Sequence, residues 1–267
     1  MAFWGDYHTH TTYSRRGHGK GTIEQNVQRA ISLGLKEIAI TDHGFEHRSF
    51  NVRRCDWEKI RKDQLAVQER YPQIKIYLGI EANIQSLRGD LDLKDHEVAK
   101  MDLIVAGYHK FAKPAQIKDD GYFYLPNFFA GLGWGTSKGK SNLRAKNTDA
   151  FIKAIERYPI DIISHPQAGC DLDIYELAKA AAHYGTYLEL NGKRIKTTDA
   201  EFEKILADTT VEFVADSDAH EPLRVGECAL PLATIERVPI PKSRLANWER
   251  LPAFRSQKNR YQTLDKL

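Results

Sequence analysis

Nine side chains of metal-binding type stand at the ends of short apolar runs or in the loops that follow them. His8 and His10 close the first run, His43 follows the second, Glu81 the third, His109 the fourth and His165 the fifth. Asp218 and His220 follow the seventh, and His18 lies in the glycine-flanked loop Gly17-His18-Gly19. Residues i and i+2 on an extended chain project to the same side, so His8 with His10, and Asp218 with His220, can each aim two donors at one point. Asp6 and Asp216 stand behind them as groups able to orient the ligands. A lone histidine is most often a satisfied core or surface residue, and His47, His96 and His183 are read that way. One imidazole after another at run ends is different, because burying each without a bond costs free energy and nothing structural needs the set.

Imidazole and carboxylate donors without thiolate suit Zn²⁺, Mn²⁺ or Fe²⁺. The donors outnumber the needs of one tetrahedral ion, so two or three ions sharing a bridging carboxylate are expected. Three divalent cations held by two carboxylates leave a strongly positive site, which favours a dianionic phosphate ester over a neutral amide. Clustered metals also lower the pKa of a bound water to about 7, which supplies a nucleophile without a Ser/His/Asp or Cys/His arrangement. Phosphoester hydrolysis is the chemistry these residues predict.

The elements that must position them are legible as an alternation. Seven apolar runs, rich in β-branched residues, fit buried strands: 2–7, 37–41, 74–80, 102–106, 160–164, 186–190 and 211–215. Helix signals fall between them. Thr22 with Gln25 reads as a capping box with Gly34 at the far end; Asp56 opens a segment that stops at Tyr71-Pro72. Thr148 precedes a segment ending at Pro159, and Asp173 begins one closed by Gly185. Strand alternating with helix predicts parallel βαβ units, and seven of them predict a TIM-like barrel with the donors at its C-terminal mouth. The whole of 1–267 is expected to form one domain. Residues 110–146, rich in glycine, aromatic residues and lysine, read as a long loop acting as a lid over the site. From about residue 238 a proline-containing tail with Trp248 is expected to pack across the outside of the barrel.

Composition sets the remaining bounds. The 267 residues are 42% hydrophobic and 28% charged, which excludes disorder for most of the chain. No apolar stretch is long enough for a transmembrane helix and no signal peptide is visible at MAFWGDYHTH, so a cytoplasmic protein without a membrane partner is expected. Cys55, Cys170 and Cys228 are odd in number and unpaired in spacing, against a disulfide scaffold. A net charge of +3 is too mild to mark a nucleic-acid binder. GLGWGTSKGKS imitates a P-loop, but Trp134 stands where glycine is required. That segment is read instead as a basic flap, with Trp134, Lys138 or Lys140 near the leaving group. Among the cations near the expected mouth, Arg16 and Arg194 are the candidates for phosphate contact.

DYHTHTTYS at 6–14, AITDHG at 39–44, LGIEANI at 78–84, DLIVAGYH at 102–109, DIISHP at 161–166, LELN at 188–191 and DSDAH at 216–220 resemble the successive motifs of the PHP (polymerase and histidinol phosphatase) family. IEANI, AGYH and the NT-x-A stretch at 147–150 are most similar to the stand-alone bacterial phosphatases of that family. The resemblance implies a distorted (β/α)7 barrel and three divalent ions. It implies a first ion on His8, His10, Glu81 and Asp218, a second on Glu81, His109 and His165, and a third on His18, His43 and His220. It also implies a metal-bridging hydroxide, held between Glu81 and Asp218, that attacks a small phosphorylated substrate. Two departures bear on substrate: the stretch between His109 and His165 is longer than usual, and Thr41-Asp42-His43-Gly44 differs from the Thr-Glu-His form of histidinol phosphatases.

A phosphatase of small monoesters (EC 3.1.3-like) is the leading expectation. A phosphodiesterase or nuclease acting on nucleotides or DNA ends is the nearest alternative. A metal-dependent amidohydrolase would need one or two ions and no counterpart of His18. A scaffold with structural metals has no use for an open multi-metal mouth. Oligomeric state is not legible.

Overall fold

The computed structural model describes residues 2–257; the single domain expected over 1–267 extends beyond these at both ends. In chain order the main elements are β1 (Gly5–Thr9), α1 (Ile23–Ser32), β2 (Glu37–Ile40), α2 (Trp57–Arg70), β3 (Lys75–Leu78), β4 (Ile80–Asn83), α3 (Asp95–Val98) and β5 (Ile104–Gly107). Then come α4 (Ile117–Asp119), α5 (Leu125–Gly131), α6 (Ser137–Arg157), β6 (Ile162–Ile163), α7 (Ile174–Tyr184), β7 (Tyr187–Asn191), α8 (Asp199–Asp208), β8 (Phe213–Asp216) and α9 (Ala229–Arg237). Strands β1-β2-β3 form one parallel sheet and β4-β5-β6-β7-β8 another. Each of the seven apolar runs overlaps a strand, and the third continues into a second one past Gly79. At that break a side chain at residue 79 would place its Cβ 2.3 Å from the Leu103 carbonyl oxygen, so only glycine fits. Single bridges cross both seams between the sheets, Thr9 with Ala219 and His43 with Glu81.

Helix ends follow local chemistry. Thr22 and Gln25 form the capping box of α1, and Gly34 follows its C-cap with φ +75°. Asp173 caps α7 through the Glu176 N–H, and Gly185 closes it at φ +72°. Asp56 stands at the start of α2 but makes no capping bond; its carboxylate is held by Arg53 instead.

Two expectations are corrected. Residues 110–146 are largely helical rather than a loop: α4, a π-helical turn over Asp120–Tyr124, α5 and the first half of α6. Phe123 and Tyr124 anchor this excursion against Tyr108, at ring separations of 5.3 and 5.6 Å. Thr148 does not start a helix, since α6 begins at Ser137, capped by Thr136, whose hydroxyl accepts the Gly139 N–H. No proline interrupts 137–157, so the helix runs through; the Thr148 hydroxyl donates back to the Arg144 carbonyl and accepts the Asp173 N–H, tying α6 to α7.

The tail also differs from expectation. Ala246 and Phe254 are buried in an inner cluster with Tyr7, Ala39, Leu103, Val105, Ile162, Tyr187 and Val214, so the tail closes the N-terminal ends of the strands instead of lying outside them. Its apolar residues match the strand-borne side chains that an open end would leave in water. Asn247 completes the seal, donating to the Gly5 and Ala215 carbonyls.

Candidate metal centre

The strands deliver their histidines to the opposite end. β1 and the residue after it carry His8 and His10, with rings 5.0 Å apart and both fully buried. β4 carries Glu81 into the middle of the group. Its carboxylate lies 3.3 Å from His8 Nε2, 3.7 Å from His10 Nε2 and 2.9 Å from His43 Nδ1. It also lies 3.1 Å from His109 Nε2 and 2.9 Å from His165 Nε2. Asp218 forms a second focus, 3.5 Å from His10 Nε2, 3.9 Å from His8 Nε2 and 3.3 Å from His220 Nδ1. His18 folds back over this side, its Nε2 2.8 Å from that of His220. All nine donors expected from the sequence therefore come together.

What turns their lone pairs inward is a layer of hydrogen bonds the sequence reading did not assign. His8 Nδ1 lies 2.6 Å from Glu189 Oε1 and donates to it, leaving Nε2 bare. Asp42 accepts from the Thr11 and Ser14 hydroxyls, both at 2.6 Å. Having spent its proton there, Ser14 Oγ accepts from the His43 N–H at 3.2 Å and from His10 Nδ1 at 3.3 Å, which again leaves Nε2 bare. Glu189 also accepts the His165 N–H and the Asn191 amide. LELN stands at 188–191 as one of the family-like motifs, but nothing in its spacing says that Glu189 faces His8 from 181 residues away. Asp218 and His165 adopt φ +52° and +29°, a region non-glycine residues avoid; such strain collects where a structure holds functional groups in place.

The bare atoms decide what the site can hold. His8 Nε2, His10 Nε2, both His43 nitrogens, Glu81 Oε2, His109 Nδ1 and His165 Nδ1 are buried without a hydrogen-bond partner. Each such atom costs about 1–3 kcal/mol unless something satisfies it, and inward-facing lone pairs are satisfied by cations. The sets His8/His10/Glu81, His43/Glu81/His109 and His10/His43/His220 each bring their donor atoms within 4.8 Å of one another, as ion ligation requires. All are nitrogen or oxygen donors, so zinc, manganese and iron fit.

Electrostatics agrees. Burial drives His10 well below the usual histidine range, with the neighbouring His220 and His43 adding to it. Burial likewise brings His43 to about 3 and His220 to about 4, so these rings are neutral, as ligands must be. Burial opposes ionisation of Glu81, yet the surrounding imidazoles, His109 and His8 foremost, hold its pKa well below that of an ordinary carboxylate. Asp218 is held low in the same way by His8 and His10. His8 is raised, because Glu189, Glu81 and Asp218 outweigh its burial, so an ion at Nε2 would take the place of a proton there.

The remaining expected residues are placed differently. Arg194 is half exposed with its guanidinium 4.0 Å from Asp218 Oδ2. Its neighbour Lys193 is closer, with Nζ 3.1 Å from Asp218 Oδ1. Arg16 stands on the exposed turn before His18 at φ +58° and makes no ion pair with the cluster among the described residues. Trp134, Lys138 and Lys140 are exposed on the helical excursion. His96 and His183 are exposed, as expected. His47 is a core residue whose place beside the cluster the sequence does not indicate: it is buried, with its ring 5.0 Å from that of His43 and 5.7 Å from that of His109. Its closeness depends on the turn after Gly44, which no periodicity announces.

Residues 6–193 match the PHP domain family. A probable phosphatase of Caldanaerobacter subterraneus subsp. tengcongensis is 28% identical over 252 residues, covering 91% of this chain and 86% of its own. A probable phosphatase of Shewanella sediminis is 29% identical over 276 residues, covering 99% and 98%. Among solved structures, histidinol phosphate phosphatase from Lactococcus lactis, complexed with zinc, L-histidinol and phosphate, shares the fold. Its TM-score is 0.58 over 94% of this chain and 97% of its own, at 20% identity.

Proposed function

The chain belongs to the PHP domain family, and from that premise we propose that it is a metal-dependent phosphoric ester hydrolase, a phosphatase of small phosphate monoesters. The observation that carries the reading is the convergence of five histidine rings on the Glu81 carboxylate, with His8 Nε2, His10 Nε2 and both His43 nitrogens buried without a hydrogen-bond partner. The probable-phosphatase names of its relatives support phosphate ester chemistry. Zinc in the Lactococcus lactis enzyme supports a metal requirement. We read the two sheets, bridged at both seams, as a distorted (β/α)7 barrel in which β3 and β4 are one broken strand and the centre is the C-terminal mouth.

In this reading three divalent ions would be held, the first by His8, His10, Glu81 and Asp218, the second by Glu81, His109 and His165, the third by His18, His43 and His220. When bound near Glu81 and Asp218, such ions would polarise phosphoryl oxygens and lower the pKa of water, supplying a nucleophile at neutral pH. The chain's own work is positioning. Glu189, Ser14 and Asp42 fix the His8 and His10 rings so that lone pairs, not protons, face the cations. Arg194, half exposed beside Asp218, offers a planar pair of donors to a phosphate oxygen, with Arg16 in the same role on the turn before His18. Residues 110–146 serve as a lid, with Trp134, Lys138 or Lys140 meeting the leaving group.

The test is turnover of p-nitrophenyl phosphate against bis(p-nitrophenyl) phosphate by metal-loaded protein whose ion content has been counted. Fast monoester turnover, slow diester turnover and three ions per chain are expected. The reverse order makes the protein a diesterase, a reading favoured by the exposed Phe128, Phe129 and Trp134 among lysines, which suit base stacking and backbone charge. Loss of neither activity on stripping the metals would overturn the metal-dependent reading.

A further inference from the structure

His47 uses its two nitrogens in the opposite sense to His8 and His10. In His8 and His10 the proton sits on Nδ1, bonded to Glu189 or Ser14, and Nε2 is left bare toward the cation cluster. In His47 the Nδ1 atom instead accepts two backbone N–H groups, from Ser49 at 3.3 Å and Phe50 at 3.1 Å. Two donors aimed at one nitrogen require its lone pair, so the ring is neutral with its proton on Nε2. A protonated nitrogen does not ligate an ion. His47 Nε2 has no hydrogen-bond partner among the described residues, and the residue is buried beside the rings of His43 and His109.

The ring is also held in place. It lies near-parallel to His43, at 5.0 Å and 24°, and to Phe50, at 5.1 Å and 18°. Phe50 in turn stacks on His18 at 3.8 Å and 3°, so the loop carrying His47 is pinned to the loop carrying an expected ligand. The backbone is fixed on both sides, by the His47 N–H to the Gly44 carbonyl and the Arg48 N–H to the Phe111 carbonyl.

We propose that His47 is a phosphate-binding residue whose Nε2–H donates a hydrogen bond to a non-bridging phosphoryl oxygen at the metal centre, without ligating an ion. This rests on the phosphatase reading above. A neutral donor of this kind binds the anion and stabilises charge gathering on its oxygens. It does not protonate the leaving group, because giving up Nε2–H while Nδ1 remains an acceptor would leave an imidazolate; the leaving oxygen takes its proton from elsewhere.

Two substitutions separate this role from a structural one. In His47→Asn the amide oxygen takes the place of Nδ1 and can still accept the Ser49 and Phe50 N–H groups, but nothing replaces Nε2–H. In His47→Gln the amide nitrogen reaches the place of Nε2, while the acceptor for the loop is lost. The measurements are ion content, affinity for inorganic phosphate by calorimetry, and kcat and KM for p-nitrophenyl phosphate. His47→Asn should keep the wild-type ion content and lose about 10- to 100-fold in kcat/KM, the range for a hydrogen bond to a charged oxygen, with weaker phosphate binding. His47→Gln should recover much of both.

The opposite order, Asn near wild type and Gln impaired, would make His47 a loop brace and overturn the proposal. Loss of an ion in His47→Asn would make it a ligand and overturn it too. A wild type that binds phosphate and turns over the ester, with both variants unchanged, defeats this assignment alone. A metal-loaded wild type that neither binds phosphate nor cleaves the ester defeats the phosphatase reading and this assignment with it.

Discussion

At the N-terminal ends of the strands, the buried carboxylates Asp161 and Glu37 and the Asn247 amide are hydrogen-bonded within the chain. Asp161 accepts the Ile104 and Ser256 N–H groups at 2.8 and 3.0 Å, Glu37 accepts the Tyr7 and Tyr77 hydroxyls, and Asn247 bonds Gly5 and Ala215. At the C-terminal ends the buried side chains are equally polar, yet seven of their nitrogen and oxygen atoms near Glu81 have no partner. One end is sealed by the chain itself through Ala246 and Phe254; the other is organised for something the chain does not supply. The contrast teaches that burial alone does not mark a functional site. Unmet lone pairs, held in place by a second layer of satisfied bonds, do.

The comparison can be broken from either end. The largest effect belongs to Glu81. Glu81→Ala should lower phosphate ester turnover by on the order of 1000-fold and reduce the ion content measured by elemental analysis. Retention of all ions would remove Glu81 from the centre. At the sealed end Phe254→Ala should lower stability by about 3–5 kcal/mol, read from urea unfolding, while ion content and kcat stay near wild type. A parallel fall in kcat would show that the two ends are not independent.

A smaller effect tests the layer behind the ligands. Glu189→Gln keeps the shape of the side chain but weakens its hold on His8 Nδ1, and should weaken metal affinity by about 10- to 100-fold, read by competition with a chelating dye. Unchanged affinity would mean that packing, not Glu189, orients the ring.

The smallest effect is a pH dependence at the sealed end. Burial raises Asp161 from 3.8 to about 6 against the N–H bonds it receives. Because the folded value lies above the unfolded one, the stability linked to its proton is fully present below about pH 4 and is lost as pH rises through 6. Asp161→Asn cannot titrate, so its destabilisation relative to wild type should be greatest at pH 4 and shrink by pH 7. A flat difference between the two unfolding profiles would show that Asp161 stays ionised throughout.

Much of this was legible from residue order because the signals are local. The apolar runs report strands through the composition of a few residues, and Thr22 with Gln25, or Asp173 with Gly185, report helix ends within one turn. The donors of the candidate metal centre follow strand ends for the same reason. By contrast, Thr148 carries the composition of a cap but lies inside α6, because its hydroxyl found the Arg144 carbonyl and the Asp173 N–H instead.

Taken alone, the order of residues determined that parallel strands alternate with helices and that metal-binding side chains gather at one end. Hydrophobic periodicity and strand direction are enough to say that. Only the tertiary structure decided which nitrogen of each imidazole faces inward, since that choice belongs to partners such as Glu189 and Asp42 brought in from other strands. It also decided that His47 packs beside His43, that 110–146 coils into helices, and that the tail plugs the far end. The physical reason is range: caps and strands are fixed by neighbours along the chain, whereas hydrogen-bond partners and buried surfaces are fixed by residues that meet only when the chain has folded.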